Sequence, residues 1–91
     1  MTFTAPSVIR KHGGRFAVIV KKGRTLYQVI ELDSQRLVMR GHSEADLQRM
    51  GYQVTDMNVY STAEKFLKHQ AGLTPNASAA LTELADDAFL Q

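Results

Sequence analysis

Between Arg15 and Arg40 the chain reads as three short apolar runs, Phe16–Lys21, Thr25–Leu32 and Leu37–Met39, separated by two polar turns. No other stretch restricts the fold as tightly. Side chains alternate across a strand, so a run pinned by a turn at each end must choose which residues it buries. Lys22-Gly23-Arg24 supplies the glycine that a tight hairpin needs, and Asp33-Ser34-Gln35 supplies side chains that bond a turning backbone. Upstream, Gly13-Gly14 follows Ser7–His12 and invites another tight turn. Short connections between consecutive strands give an antiparallel meander of four strands over residues 7–41.

Whether the second hairpin turns on Lys22-Gly23 or on Gly23-Arg24, the same residues share a face. One face is expected to collect Ile9, Phe16, Val18, Val20, Tyr27, Val29 and Val38, with Glu31 opposite Arg36. The other collects Val8, Ala17, Ile19, Leu26, Ile30, Leu32, Leu37 and Met39. A three-residue loop would shift the pairing by one and break this assignment. Both faces are apolar, whereas an antiparallel sheet with one wet side carries a polar face. Either helices cover both sides, or helices cover one and a partner covers the other.

After Gly41 the pattern turns helical. Ser43 is an N-cap with acids in the first turn behind it, Leu47 and Met50 mark a buried side, and Gly51 closes the segment. Residues 52–57 alternate loosely and form a short fifth strand or an extended link. Ser61-Thr62-Ala63-Glu64 is a capping-box signature for a second helix, with Ala63, Phe66, Leu67 and Gln70/Ala71 recurring at three and four. Thr74-Pro75 opens a third. The expected architecture is one α+β domain over residues 1–91, an antiparallel β-meander of four or five strands followed by three helices. On the third helix Ala77, Leu81, Leu84 and Ala88 form a narrow apolar seam with Phe89 at its end. Leu81, Leu84, Ala88 and Phe89 are the candidate association surface.

The net charge of +2 conceals a division along the chain. Up to His42 there are eight Lys/Arg against two acids, a difference of +6; from Ser43 there are three against seven, a difference of −4. With Tyr27 opposite Arg40, the cations Lys21, Lys22, Arg24 and Arg40 gather at one end of the sheet, while Glu31 and Asp33 partly offset Arg10, Lys11, Arg15 and Arg36 at the other. That first end is the candidate partner- or anion-binding site. Lys and Arg at such positions also serve solubility and block edge-to-edge pairing.

Chemistry-bearing patterns are sparse. There is no cysteine, hence no disulfide and no thiolate nucleophile or ligand. His12, His42 and His69 are far apart in sequence and read as surface or turn residues rather than metal ligands. No serine lies in a nucleophile-elbow context, and no phosphate-cradling glycine loop occurs. No cofactor, metal site or enzyme class is implied. The N-terminus lacks a signal-peptide pattern and no run is long enough to span a membrane, so a cytoplasmic protein without membrane contact is expected.

Two function classes remain. Two apolar sheet faces, an Ala/Leu seam and a charge split suit a small non-enzymatic interaction module, a regulator or inhibitor that binds an unidentified partner protein and forms a homodimer. The alternative is nucleic-acid binding by the basic end of the sheet, since Glu83, Asp86 and Asp87 on the third helix would repel a phosphate backbone. In outline, a compact meander with helices and no catalytic set is similar to small bacterial or phage-encoded inhibitors, including anti-CRISPR proteins, an analogy of architecture that no motif carries.

Overall fold

The computed structural model describes residues 3–69 and 72–90, the last three of these by backbone alone. Five strands, β1 (Ser7–Lys11), β2 (Phe16–Lys22), β3 (Tyr27–Asp33), β4 (Arg36–His42) and β5 (Tyr52–Val54), form one antiparallel sheet in the order β4-β3-β2-β1-β5. Helix α1 (Glu44–Arg49) lies between β4 and β5, and α2 (Val59–His69) and α3 (Pro75–Leu90) follow. The α+β fold and the four-stranded meander are therefore those expected from the turn spacing, and residues 52–54 are the fifth strand.

The registers differ from expectation in three places, each with a local cause. The first hairpin has a three-residue loop: Lys11 N–H donates to the Arg15 carbonyl at 2.9 Å around His12-Gly13-Gly14, with Gly13 at φ +72°. Val8 therefore pairs with Val18, and Val8, not Ile9, shares a face with Phe16, Val18 and Val20. In the second hairpin the register shifts between Ile19 and Lys21, so that Val20 is an extra residue in β2. This bulge brings Val18 opposite Ile30 and Ile19 opposite Val29, and it separates Phe16 from Tyr27. In the third, Ser34 and Gln35 both adopt positive φ (50° and 69°) as a two-residue turn, so Tyr27 lies opposite His42 rather than Arg40. Glu31 then lies opposite Val38, and Asp33, not Glu31, lies opposite Arg36.

Both faces are apolar, and the chain covers both itself. On one side Val8, Val18, Ile30 and Leu37 pack beneath α2 and α3 through Val59, Ala63, Ala77, Leu81 and Leu84. On the other, Ile9, Ala17, Ile19, Tyr27 and Val29 are closed over by Phe3 and by Leu47 of α1. Phe3 is tied down from both directions. Its N–H donates to Glu44 Oε1 at 3.2 Å, its carbonyl accepts from the Tyr27 hydroxyl at 3.1 Å, and its ring meets Tyr27 edge-on at 6.2 Å between centroids. The short first segment and a six-residue helix thus do the work for which a partner was the alternative.

The helices begin where side chains satisfy their first N–H groups. Ser43 caps α1 by accepting from Asp46 N–H at 3.1 Å, and Gly51 at φ +85° follows its C-cap Met50. Helix α2 starts two residues before the expected capping box, because Asn58 Oδ1 accepts from Ser61 N–H at 2.9 Å and takes the N-cap role. Gln70 and Ala71, expected on its buried side, lie outside the described residues. Pro75 opens α3 as expected, but the Thr74 hydroxyl donates to the Leu37 carbonyl at 3.0 Å and ties the helix entrance to β4.

Candidate functional site

The β2–β3 hairpin tip presents residues 21–26, all exposed, at one end of the sheet. Gly23 N–H donates to the Leu26 carbonyl at 2.8 Å and closes the turn. Lys21 lies opposite Gln28 and Lys22 opposite Tyr27, so the two lysines leave the sheet on different faces, and Lys22 Nζ stands 5.7 Å above the Tyr27 ring. Among the described residues Lys21, Lys22 and Arg24 have no acidic partner.

Arg40 is not part of that group. On β4 its guanidinium pairs with the Asp33 carboxylate and lies 3.7 Å from Glu31 Oε1. The register explains this, since Arg40 is opposite Val29, with Glu31 and Asp33 further along the same face of β3. The offset expected at the other end is correspondingly missing: Glu31 and Asp33 are engaged by Arg40 and His42, and among the described residues Arg10, Lys11, Arg15 and Arg36 have no acidic partner. Arg10 instead lies 5.1 Å over Phe16, and Lys11 lies 5.5 Å over Tyr52. Arg10, Lys11, His12 and Gly13 border a shallow hollow of about 340 Å³ with Gln53, Val54 and Thr55.

The remaining sequence-derived positions fall elsewhere. Leu81 is fully buried and Leu84 5% exposed, both against α2 and the sheet of their own chain. They are core residues, because small Ala77 and Ala80 let α3 lie close on its neighbours. The side chains of Ala88 and Phe89 lie outside the described residues.

Two features escaped the sequence reading. His42, expected as a surface or turn residue, bonds Glu31 Oε1 through Nε2 at 2.9 Å, with its side chain only 16% exposed. The Tyr52 hydroxyl approaches the same carboxylate. Burial, then the Glu31 charge and a hydrogen bond to it, push Tyr52 above its ordinary value, while Arg15 acts in the opposite direction. Glu31, 6% exposed, thus anchors a buried polar cluster behind the edge strand. The second feature is Leu26, 43% exposed, which lies over Gly41: a Cβ added there would come within 3.1 Å of Leu26 Cδ1. The missing side chain at Gly41 lets a leucine from the tip rest on β4 beside the cations.

This surface offers apolar and cationic contact but no open ring. Phe16, Tyr27 and Tyr52 each carry a cation against the ring, and the last two are buried. Among the described residues no group of three or more His, Asp or Glu side chains is placed to hold a metal ion, and no helix is long and apolar enough to cross a membrane. No family model, curated protein or solved structure matches this chain.

Proposed function

We propose that this protein is a small non-catalytic binding module that engages a partner protein through the β2–β3 tip and the adjoining end of β4, and so regulates or inhibits what it binds. The observation that carries this reading is that Lys21, Lys22 and Arg24, none with an acidic partner, share one hairpin tip with the exposed Leu26, which rests on Gly41. Cations beside an exposed aliphatic group suit a protein surface, where an apolar centre with a charged rim is the common arrangement. The cytoplasm belongs to the same reading, since a cysteine-free domain folds there without oxidation. A homodimer was expected from an uncovered face and an exposed seam. With the faces closed and Leu81 and Leu84 in the core, neither of those surfaces is open for it among the described residues.

The second reading, nucleic-acid binding, is favoured by the cations without acidic partners at both ends of the sheet. It is disfavoured by the lack of an open aromatic on the sheet for base stacking. A pulldown from the native host separates the two when run beside the variant carrying Lys21→Glu, Lys22→Glu and Arg24→Glu. The module reading expects a stoichiometric protein complex that the variant loses. Retention on DNA or RNA that falls steeply with salt, with no protein captured, overturns it.

A further inference from the structure

The chain already uses the outer edge of β4 once. Leu37 N–H donates to the Gly72 carbonyl and the Leu37 carbonyl accepts from Thr74 N–H, each at 3.2 Å, making a one-residue parallel bridge with Leu73. The pairing stops there because Pro75 begins α3 and the Thr74 carbonyl turns to accept from Ser78 N–H at 2.9 Å. Bonding direction alternates along a strand, so the N–H and C=O of Met39 and Gly41 point the same way as those of Leu37, and no described residue bonds them. An unpaired edge of this kind is where an extended segment adds as a further strand.

Charge selects the occupant. Lys21, Lys22 and Arg24 lie at this end of the sheet without an acidic partner, Lys22 on the same face as Arg40, whose own charge is taken up by Asp33 and Glu31. On the opposite face Leu26 and the partly buried Met39 offer apolar contact. A second copy of the chain would bring these same cations against themselves. We infer that the edge of β4 at Met39–Gly41 receives an extended acidic segment of the partner protein, its aliphatic side chains over Leu26 and Met39 and its carboxylates toward the tip cations Lys22 and Arg24. This rests on the binding-module reading and adds the chemistry of the partner to it.

The probe is a synthetic peptide of alternating valine and glutamate, with amide exchange of Met39 and Gly41 as the readout. Binding should slow both amides, and the fully N-methylated peptide should not bind, because it cannot complete the ladder. Lys22→Glu with Arg24→Glu should weaken the peptide by about tenfold, the scale of one charge-assisted contact. Unchanged exchange with the glutamate peptide, or equal binding of a valine–lysine peptide, overturns the inference. A host protein captured in a tip-dependent way that leaves both amides exchanging as before overturns strand addition while the module reading stands. Capture indifferent to the tip overturns the module reading itself.

Discussion

The hydroxyl of Tyr52, on the edge strand β5, approaches the carboxylate of Glu31, on β3, with β1 and β2 lying between them. A buried carboxylate needs partners for its lone pairs, and Tyr52 and His42 approach Glu31 from opposite ends of the sheet. Tyr52→Phe keeps the ring and removes the hydroxyl. It should cost about 1 kcal/mol in urea unfolding, the net worth of one hydrogen bond. Burial of Tyr52, with the Glu31 carboxylate beside it, makes stability pH-dependent at the alkaline end. Tyr52 is raised in the folded state, so above pH about 10 the unfolded chain releases a proton that the native chain keeps. Its contribution is present below that pH and is lost as pH rises through the folded value. Ultraviolet titration should show a late phenolic ionisation that Tyr52→Phe abolishes.

Ala17 is fully buried on β2 and belongs to the same apolar cluster as Tyr52. Ala17→Leu should overpack this position and destabilise by about 1–3 kcal/mol, even though leucine is the more apolar residue. A thermal midpoint at or above that of the wild type would contradict it.

Leu47 is the one buried residue of α1. If α1 and Phe3 together close the second face, Leu47→Ala should cost about 2–5 kcal/mol and expose surface that binds a hydrophobic dye, as deletion of a fully buried leucine does elsewhere. A loss below 1 kcal/mol, roughly the scale of a surface change, would mean that this face is covered by something else.

The β3–β4 turn holds Gln35 at φ +69°, a region in which non-glycine residues cost about 1 kcal/mol or more. Gln35→Gly should stabilise the protein by about that amount. Gly72 stands against the same turn at φ +80°, and an added Cβ would lie 2.9 Å from the Gln35 carbonyl oxygen. Gly72→Ala should therefore destabilise by about 1–3 kcal/mol. Opposite shifts in thermal midpoint for these two substitutions check both statements.

The fold was legible because turns and apolar runs were closely spaced. Gly13, Asp33-Ser34-Gln35, Ser43 and Thr74-Pro75 mark real boundaries, and the apolar character of both sheet faces held. The register was not legible. An extra residue at Val20 and a three-residue loop at His12-Gly13-Gly14 each reverse the faces of a strand, and neither has a composition that distinguishes it from a regular hairpin. The two-residue turn at Ser34-Gln35 decided the site. Arg40 read as a member of the cationic tip only while Tyr27 was its neighbour; two residues of shift placed it against Glu31 and Asp33. Leu81 and Leu84 looked available because their helical seam carries no signal of what it packs against. His42 could have been found by asking which residue would satisfy a glutamate in the middle of an apolar strand.

In the proposed function, recognition belongs to a free strand edge and its adjoining tip, because the chain closes both sheet faces by itself. Amide hydrogen exchange in the free protein tests it residue by residue. Val38 and Arg40, bonded into β3, and Leu37, bonded to Gly72, should exchange slowly, whereas Met39 and Gly41, on either side of Arg40, exchange at nearly unprotected rates. Slow exchange at Met39 and Gly41 with no ligand added would show that the edge is already occupied, and the account would fail.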